Sequence, residues 1–442
     1  MRTVAERLTE LARVAGGRPA LVGWRGGREE SLSWADLDRL TDGGDVGAGR
    51  VSVVPAGNDL ASAVAILRCL RAGVPVLPAD PRAGPAERDV MAADLPGCDV
   101  PPGGYLLRTA GSTGQPKLVA RPGPLGYHPD QVPNAILRRT GWTAGQRQLL
   151  VIPIHHAAGF MAFAEGVLSG NTVVLQADFV ATQMWDLIAR HRIDWLALTP
   201  THMRVALPAA PAGSLTSPPT LLHTGAFCDP DLKRAWIDLL GAERVFELYG
   251  STEAIGATLI RGDEWLARPG SVGRPVAAQV RILDDAYGVL PPHQIGDVYL
   301  RIPRRPGASA GPGATAAQRR TVSGFASVGD QGWLDEEGYL FLAGRRDDLI
   351  IVGGENVYPA EIEAVIRGLP GIRDAAVAGA PDPVFGQRVV ACLVPEPEGA
   401  PDAARVLRHC ARWLPPGKLP KDIRYVAELP RTATGKLQRW RL

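Results

Sequence analysis

Residues 148–175 read QLLVIPIHHAAGFMAFAEGVLSGNTVVL, and their pattern decides the fold class. Gln148 to Pro153 is a short unbroken apolar run, Asn171 to Leu175 is another, and the apolar stretch Phe160 to Leu168 lies between them. A strand covered on both faces reads as a continuous apolar run, whereas a half-exposed strand alternates. Strand, helix, strand in that order predicts an α/β layer. The alternation continues on both sides. Upstream, a strand is predicted over Arg50 to Pro55, a helix over Leu60 to Ala72 and a strand over Val74 to Leu77; downstream, strands are predicted at Asp194 to Leu198 and Thr220 to His223. Met1 to Val14 reads as an amphipathic helix with Val4, Leu8 and Leu11 on one face.

At 442 residues the chain exceeds what one hydrophobic core usually serves, so two or more domains are expected. Residues 304–326 are dominated by Gly, Ala, Ser, Pro and Arg without a hydrophobic period, and read as a mobile surface loop. A smaller unit begins after Arg346, with a helix from Pro359 to Ile366, strands at Ala375 to Ala378 and Val389 to Val394, and a helix from Asp402 to Trp413. The boundary falls between Arg346 and Asp347, giving a large domain, 1–346, and a small α+β domain, 347–442.

Lys+Arg number 48 against Asp+Glu 46, a net charge of +2 with no long basic block, which argues against a nucleic-acid or membrane-surface footprint. The five cysteines are far apart and form no Cys-x-x-Cys pair, so neither a zinc site nor a disulfide framework is expected, and a reducing cytoplasm fits. No run approaches the roughly 18 apolar residues that a membrane-spanning helix needs.

Four short motifs carry chemistry. Thr109-Ala110-Gly111-Ser112-Thr113-Gly114-Gln115-Pro116-Lys117 offers glycines for close backbone approach, three hydroxyls and a cation, a set suited to phosphate, but its spacing is not that of a Walker A loop. Tyr249-Gly250-Ser251-Thr252-Glu253 places an aromatic face, a hydroxyl and a carboxylate at a strand end. Asp330 could accept two ribose hydroxyls with Arg345 donating beside it, or the two could form a surface ion pair. Gly435-Lys436 lies close to the C-terminus, where a lysine is usually solvent-exposed. Singly, none of the four decides between this chemistry and a plainer alternative: a polar turn, an incidental loop carboxylate, a surface ion pair and a solvent-exposed lysine.

Their order changes the reading. Together with Pro153-Ile154-His155-His156-Ala157-Ala158-Gly159, Thr224-Gly225-Ala226 and the stretch Gly344 to Glu363, they resemble the adenylate-forming superfamily of acyl- and aryl-CoA synthetases, nonribosomal-peptide adenylation domains and luciferases, from about residue 18 to the end. The resemblance implies a large multi-sheet N-terminal domain and a small mobile C-terminal domain. It implies ATP and Mg²⁺ as cofactors and activation of a small-molecule carboxylic acid as acyl-AMP. The acyl group then passes to coenzyme A or, alternatively, to a carrier-protein thiol or an amine; a noncatalytic nucleotide-binding protein is the reading from a different class.

Residue by residue, the resemblance assigns catalysis to Lys436, Thr252, Glu253 and His156, with Glu253 on the metal. It assigns the phosphates to Thr109, Gly111, Ser112, Thr113, Gly114 and Lys117, and the nucleoside to Gly225, Ala226, Tyr249, Gly250, Ser251, Asp330 and Arg345. His156, Phe160, Phe227, Ile255 and Gly256 would line the acid pocket, with Met161 and Phe163 adding apolar surface, Asp347 would be the hinge, and Gly353 and Gly354 would lie beside coenzyme A. His155 is the more structural histidine of the pair. Three departures stand out: Ala110 and Ser112 replace the usual Ser and Thr, Val328 replaces a hydroxyl residue, and the tail ends soon after Lys436, which predicts little anchoring for that loop.

Overall fold

The computed structural model describes residues 2–25, 28–43, 46, 51–83, 100–109, 117–121, 125–211, 215–251, 254–303, 321–397, 399–431 and 437–442. Its centre contains the parallel strands β1 (Arg147–Leu150), β2 (Thr172–Leu175), β3 (Trp195–Leu198), β4 (Thr220–Thr224) and β5 (Val245–Gly250), in spatial order β2-β1-β3-β4-β5, with Pro19–Arg25 added in parallel outside β2. Period two along each strand sends alternate side chains to opposite faces. Leu150, Val173, Leu175, Trp195 and Ala197 enter one core, while Leu149, Val174, Leu196 and Leu198 enter another. The unbroken apolar runs are therefore strands covered on both sides.

Beyond β5 the direction reverses. β6 (Ala257–Arg261) and β7 (Ser271–Pro275) follow as antiparallel neighbours, and further out lie β8 (Phe325–Leu334) and β9 (Leu340–Arg345), also antiparallel to each other. The connected sheet runs in the order β5-β6-β7-β9-β8 on this side. Residues 304–320 lie outside the described residues, but the reading of 304–326 as one patternless loop extends too far. Thr321–Val322 pairs with Phe325 and Ala326 as a tight hairpin, and Phe325 is buried beneath the guanidinium groups of Arg281 and Arg301. Short hairpins offer too few residues for a hydrophobic period to show.

The C-terminal sheet is separate, running Glu355–Val357, Ile350–Val352, Gly386–Pro395 and Ile372–Asp382, with Asp422–Tyr425 added in parallel to Gly386–Pro395. Helices Pro359–Arg367 and Ala403–Cys410 cover it, burying Ile362, Ile366, Val406 and Cys410 against Val377 and Leu393. Gly353 and Gly354, at φ 58° and 89°, are the two-residue turn joining Ile350–Val352 to Glu355–Val357, a position that demands left-handed residues.

The helix between β1 and β2, Ala157–Ser169, is apolar on nearly every side and packs tightly on the sheet. At Gly159 an added Cβ would lie 2.1 Å from the Pro153 carbonyl oxygen, so only glycine lets the helix begin there. One charge sits inside this helix. Glu165 is 7% exposed, and its carboxylate accepts from the Asn134 backbone N–H (3.2 Å) and side-chain amide (3.0 Å). Asn134 in turn caps helix Ala135–Arg139, its Oδ1 accepting from the Ile136 and Leu137 N–H groups.

Burial pushes the Glu165 carboxyl from 4.5 up to about 7. The folded chain then holds a proton that the unfolded chain releases. Its stabilising effect is full below pH 4.5 and is lost as pH rises through about 7. Glu165→Gln removes this dependence. Across that window the variant should gain about 3 kcal/mol on the wild type in urea unfolding. A gap between the two that stays constant with pH would show that this carboxyl has the same pKa in the folded and the unfolded chain.

Candidate active site

Ligands of open α/β sheets bind at the carboxyl ends of the strands. Here four neighbouring strands end at one edge. His156 follows β1, Thr199 follows β3, Gly225 and Ala226 follow β4, and Gly250 closes β5 with Ser251 after it. The register that aligns the strands therefore aligns these residues, and the Thr224 hydroxyl donating to Leu248 O (2.8 Å) ties the ends of β4 and β5 together.

The turn after β1 is held by a residue outside every motif. Asn58 donates through Nδ2 to the carbonyls of Leu150 (3.2 Å), Val151 (3.1 Å) and Ile152 (3.3 Å), and its Oδ1 accepts from the Ile154 N–H (2.9 Å). The two histidines that follow differ in kind. His155 Nδ1 bonds the Ala56 carbonyl at 2.8 Å, and Nε2 lies 3.7 Å from Asp80. His156 Nε2 has no hydrogen-bond partner among the described residues, and its ring stands 4.4 Å from that of His155. Burial, reinforced by the neighbouring His155, lowers the His156 imidazole to about 3. It faces the site as a neutral ring.

At the far edge, Asp330 on β8 pairs across the ladder with Arg345 on β9. The Tyr249 hydroxyl donates to Asp330 Oδ2 at 2.6 Å, and Arg345 Nε lies 3.4 Å from Asp330 Oδ1. Three residues assigned to one nucleoside from distant stretches thus meet. Burial and the Asp330 charge push the Tyr249 phenol well above its usual value, so it stays a donor.

Other assigned residues are placed less directly. Thr109 and Lys117 are paired partners at the end of an antiparallel hairpin, Leu106–Thr109 with Lys117–Ala120, where the connecting segment joins the two strands. Gly111, Ser112, Thr113 and Gly114 of the connecting loop lie outside the described residues, as do Thr252, Glu253 and Lys436. Phe160 and Phe163 are fully buried, the Phe160 ring lying tilted with its centre 4.6 Å from that of Tyr105, so both belong to the core behind the site rather than to an open pocket wall. Met161 is partly buried and accepts from the Tyr105 hydroxyl at 3.2 Å. Phe227 is 59% exposed, Ile255 is half-buried and Gly256 buried.

Asp347 is exposed in a short turn, Arg346–Asp348. Its neighbours are tied in opposite directions. Arg346 pairs with Asp285 and with Asp297 of strand Gly296–Arg301, and Asp348 pairs with Arg439 near the C-terminus at 3.2 Å. The expected weak anchoring after Lys436 is not what the structure has. Arg431 and Leu437 form a β-bridge, the Gln438 N–H donates to Pro430 O (2.8 Å), Arg431 pairs with Asp374 (2.6 Å), and Arg439 is held by Glu363. A terminal arginine reads as solvated; only the fold supplies its buried carboxylate.

Asn58, Tyr105 and Arg439 are the residues that the motifs missed. Asn58 precedes a helix and reads as part of its cap, although Asp59 is the residue that caps it. Among the described residues no group of three His, Cys, Asp or Glu could hold a metal ion. No described helix is long and apolar enough to cross a membrane.

The sequence matches the family described as AMP-binding enzyme over residues 104–305, and AMP-binding enzyme C-terminal domain over residues 361–436. The sulfoacetate–CoA ligase of Cupriavidus necator is 33% identical over 387 residues, 84% of this chain and 73% of the relative. A fatty acid–[acyl-carrier-protein] ligase of Streptomyces coeruleorubidus is 32% identical over 347 residues, 75% of this chain and 65% of the relative. Among solved structures, o-succinylbenzoate CoA synthetase from Bacillus subtilis in complex with its acyl-adenylate superposes with a TM-score of 0.83 at 24% identity, covering 98% of this chain and 96% of that one. The same enzyme has been solved with ATP and magnesium.

Asn58→Ala would remove the side-chain partner of the Val151 and Ile152 carbonyls and of the Ile154 N–H in the turn that presents His156, while the Leu150 carbonyl keeps the Gln176 N–H at 3.1 Å. Each orphaned buried group costs about 1–3 kcal/mol, and partial hydration of the gap limits the total to about 3 kcal/mol. Urea unfolding at neutral pH measures it; a loss below about 1 kcal/mol would mean that the turn holds itself.

Proposed function

The chain belongs to the AMP-binding enzyme family, and from that premise we propose that it joins a hydrophobic carboxylic acid (aryl, polycyclic or fatty) to coenzyme A through an acyl-adenylate. The observation that carries the reading is the junction of Tyr249, Asp330 and Arg345 beside the carboxyl edge of the parallel strands. A carboxylate already oriented by a phenol and a guanidinium keeps further lone pairs for a ribose diol.

A carboxylate is a poor acyl donor because its leaving group would be oxide. Its oxygen attacks the α-phosphorus of ATP, the bond to the β-phosphate breaks, and pyrophosphate leaves. Two anions must approach, so the site supplies cations and donors. Lys436 bridges the carboxylate and the α-phosphate, Thr252 contacts the latter, and Ser112, Thr113 and Lys117 cradle the departing pyrophosphate. Preorganised donors of this kind are worth about 3–4 kcal/mol each in the transition state. Glu253 would hold the magnesium ion that accompanies ATP, and the ion would supply positive charge against the phosphates. The uncharged His156 orients the acid without competing for its carboxylate.

In the second step the thiol attacks the acyl carbon, AMP leaves and the thiol proton is lost to solvent. Lysine and thiol cannot share the same approach. Rotation about Asp347, the exposed residue between two oppositely directed ion pairs, exchanges one for the other, and the Gly353-Gly354 turn then lies beside the pantetheine arm. A carrier-protein thiol remains the second reading, favoured by the acyl-carrier-protein ligase among the relatives. The unpaired cysteines Cys69, Cys228, Cys392 and Cys410 suit a reducing cytoplasm, where ATP and coenzyme A are available.

Exchange of labelled pyrophosphate into ATP across a panel of acids tests the first step, and acceptor assays with coenzyme A, carrier protein and amines test the second. Lys436→Ala is expected to abolish exchange yet turn over supplied acyl-adenylate with coenzyme A; equal loss of both half-reactions would count against the scheme. Asp330→Asn should raise the KM for ATP about 10- to 100-fold, as loss of a charged hydrogen bond does, with the acid's KM unchanged. A KM for ATP that does not move would remove Asp330 from the nucleotide.

A further inference from the structure

Arg431 and Leu437, the described residues on either side of 432–436, are bridged to one another, and the chain on both sides enters a single row of charges. Arg431 Nη2 lies 2.6 Å from Asp374 Oδ2, and Asp374 Oδ1 lies 3.3 Å from Arg367 Nε. Arg367 Nη2 lies 3.4 Å from Glu363 Oε2, which also accepts from Arg439 Nη2 at 3.1 Å, and Arg439 Nε reaches Asp348 Oδ2 at 3.2 Å. Cation and anion alternate along the whole row. It begins before Lys436, passes through the helix Pro359–Arg367, returns after Lys436 at Arg439 and ends in the turn that contains Asp347.

The row is fixed to the backbone at its middle. Glu363 is 3% exposed, and its Oε1 accepts from the Val377 N–H at 2.8 Å. Arg439 donates to the Val377 carbonyl at 2.8 Å and Arg367 to the Ala375 carbonyl at 2.7 Å. A bidentate guanidinium fixes direction as well as distance, which an ammonium cannot do.

We propose that Arg439 is a positioning residue for adenylation. Through Glu363 and Asp348 it sets the chain leaving Lys436 against the turn about which the small domain moves, so that the lysine arrives in one register. The proposal rests on the adenylation reading above, in which Lys436 acts only in the first step. Arg439 itself touches neither substrate.

The test compares Arg439→Gln, Arg439→Lys and Asp348→Asn in the full chain. Asp348 is at the half-exposed end of the row, so its variant removes the link to the turn without opening the domain core. Misplacing a catalytic group by about 1 Å costs about 100-fold, so pyrophosphate exchange by Arg439→Gln should fall about 100-fold in kcat with both KM values within about twofold. Thioester formation from supplied acyl-adenylate should stay within about threefold, Arg439→Lys should recover only part of the exchange, and Asp348→Asn should lose about tenfold.

A second readout needs no turnover: trypsin should cut after Arg431 or Lys436 faster in Arg439→Gln than in the wild type, while the rest of the small domain resists. Equal loss of both half-reactions in folded Arg439→Gln, or exchange and cleavage at wild-type rates, would overturn the proposal. Failure of the adenylation reading looks different. The wild type itself would then exchange no pyrophosphate with any acid, and the cleavage comparison alone would decide whether Arg439 holds the loop.

Discussion

Everything at this site depends on the parallel register of β1, β3, β4 and β5. Parallel neighbours end on the same side, so one hydrogen-bonding ladder brings His156, Thr199, Gly225 and Ser251 to a single edge with no direct bond between them. The antiparallel strands after β5 complete the arrangement. They carry the sheet round until Asp330 on β8 lies against Tyr249 at the end of β5, although 81 residues separate the two. Apolar burial on both faces of the parallel strands makes that edge stiff, since a one-residue slip would exchange the two cores.

A stiff edge suits binding but not a two-step reaction. Joining two anions needs a cation between them; attack by a thiol needs that space open. A single rigid body would have to compromise, whereas a small domain on a hinge separates the two demands in time. The turn Arg346–Asp348 suits the hinge proposed above: Arg346 pairs with Asp285 and Asp297, Asp348 pairs with Arg439, and Asp347 between them is exposed.

The sequence was informative where the physics is local. Buried strands announce themselves as apolar runs, and the observed ends of β1, β2, β3 and β4 fall within three residues of the expected ones. Tyr249, Asp330 and Arg345 were legible as a set only through the order of motifs that the resemblance rests on, and the structure brings the three together. What stayed hidden is tertiary. Phe160 looked like pocket lining because hydrophobicity does not distinguish a wall from the core behind it, and it is fully buried. Asn58 was invisible because its partners, Leu150 to Ile154, lie more than 90 residues away. The hairpin at Thr321–Phe325 was lost inside a Gly- and Ala-rich composition that carries no period.

Arg439 is the instructive miss, because its burial inverts the usual reading of a charged tail. Replacing a buried ion pair by apolar residues of similar size is often neutral or stabilising, so stability alone gives no reason to keep the row from Arg431 to Asp348. An apolar contact is tolerant of sliding, however, and a polypeptide presenting a catalytic amine cannot slide. Alternating charges with shared carboxylates have few satisfactory arrangements, and displacing Arg367 or Arg439 takes a partner from the buried Glu363 carboxylate. On the proposal above, the residues flanking 432–436 are held by the interaction that is weakest as glue and strictest in geometry, and that strictness would suit a domain that returns to one alignment after each excursion.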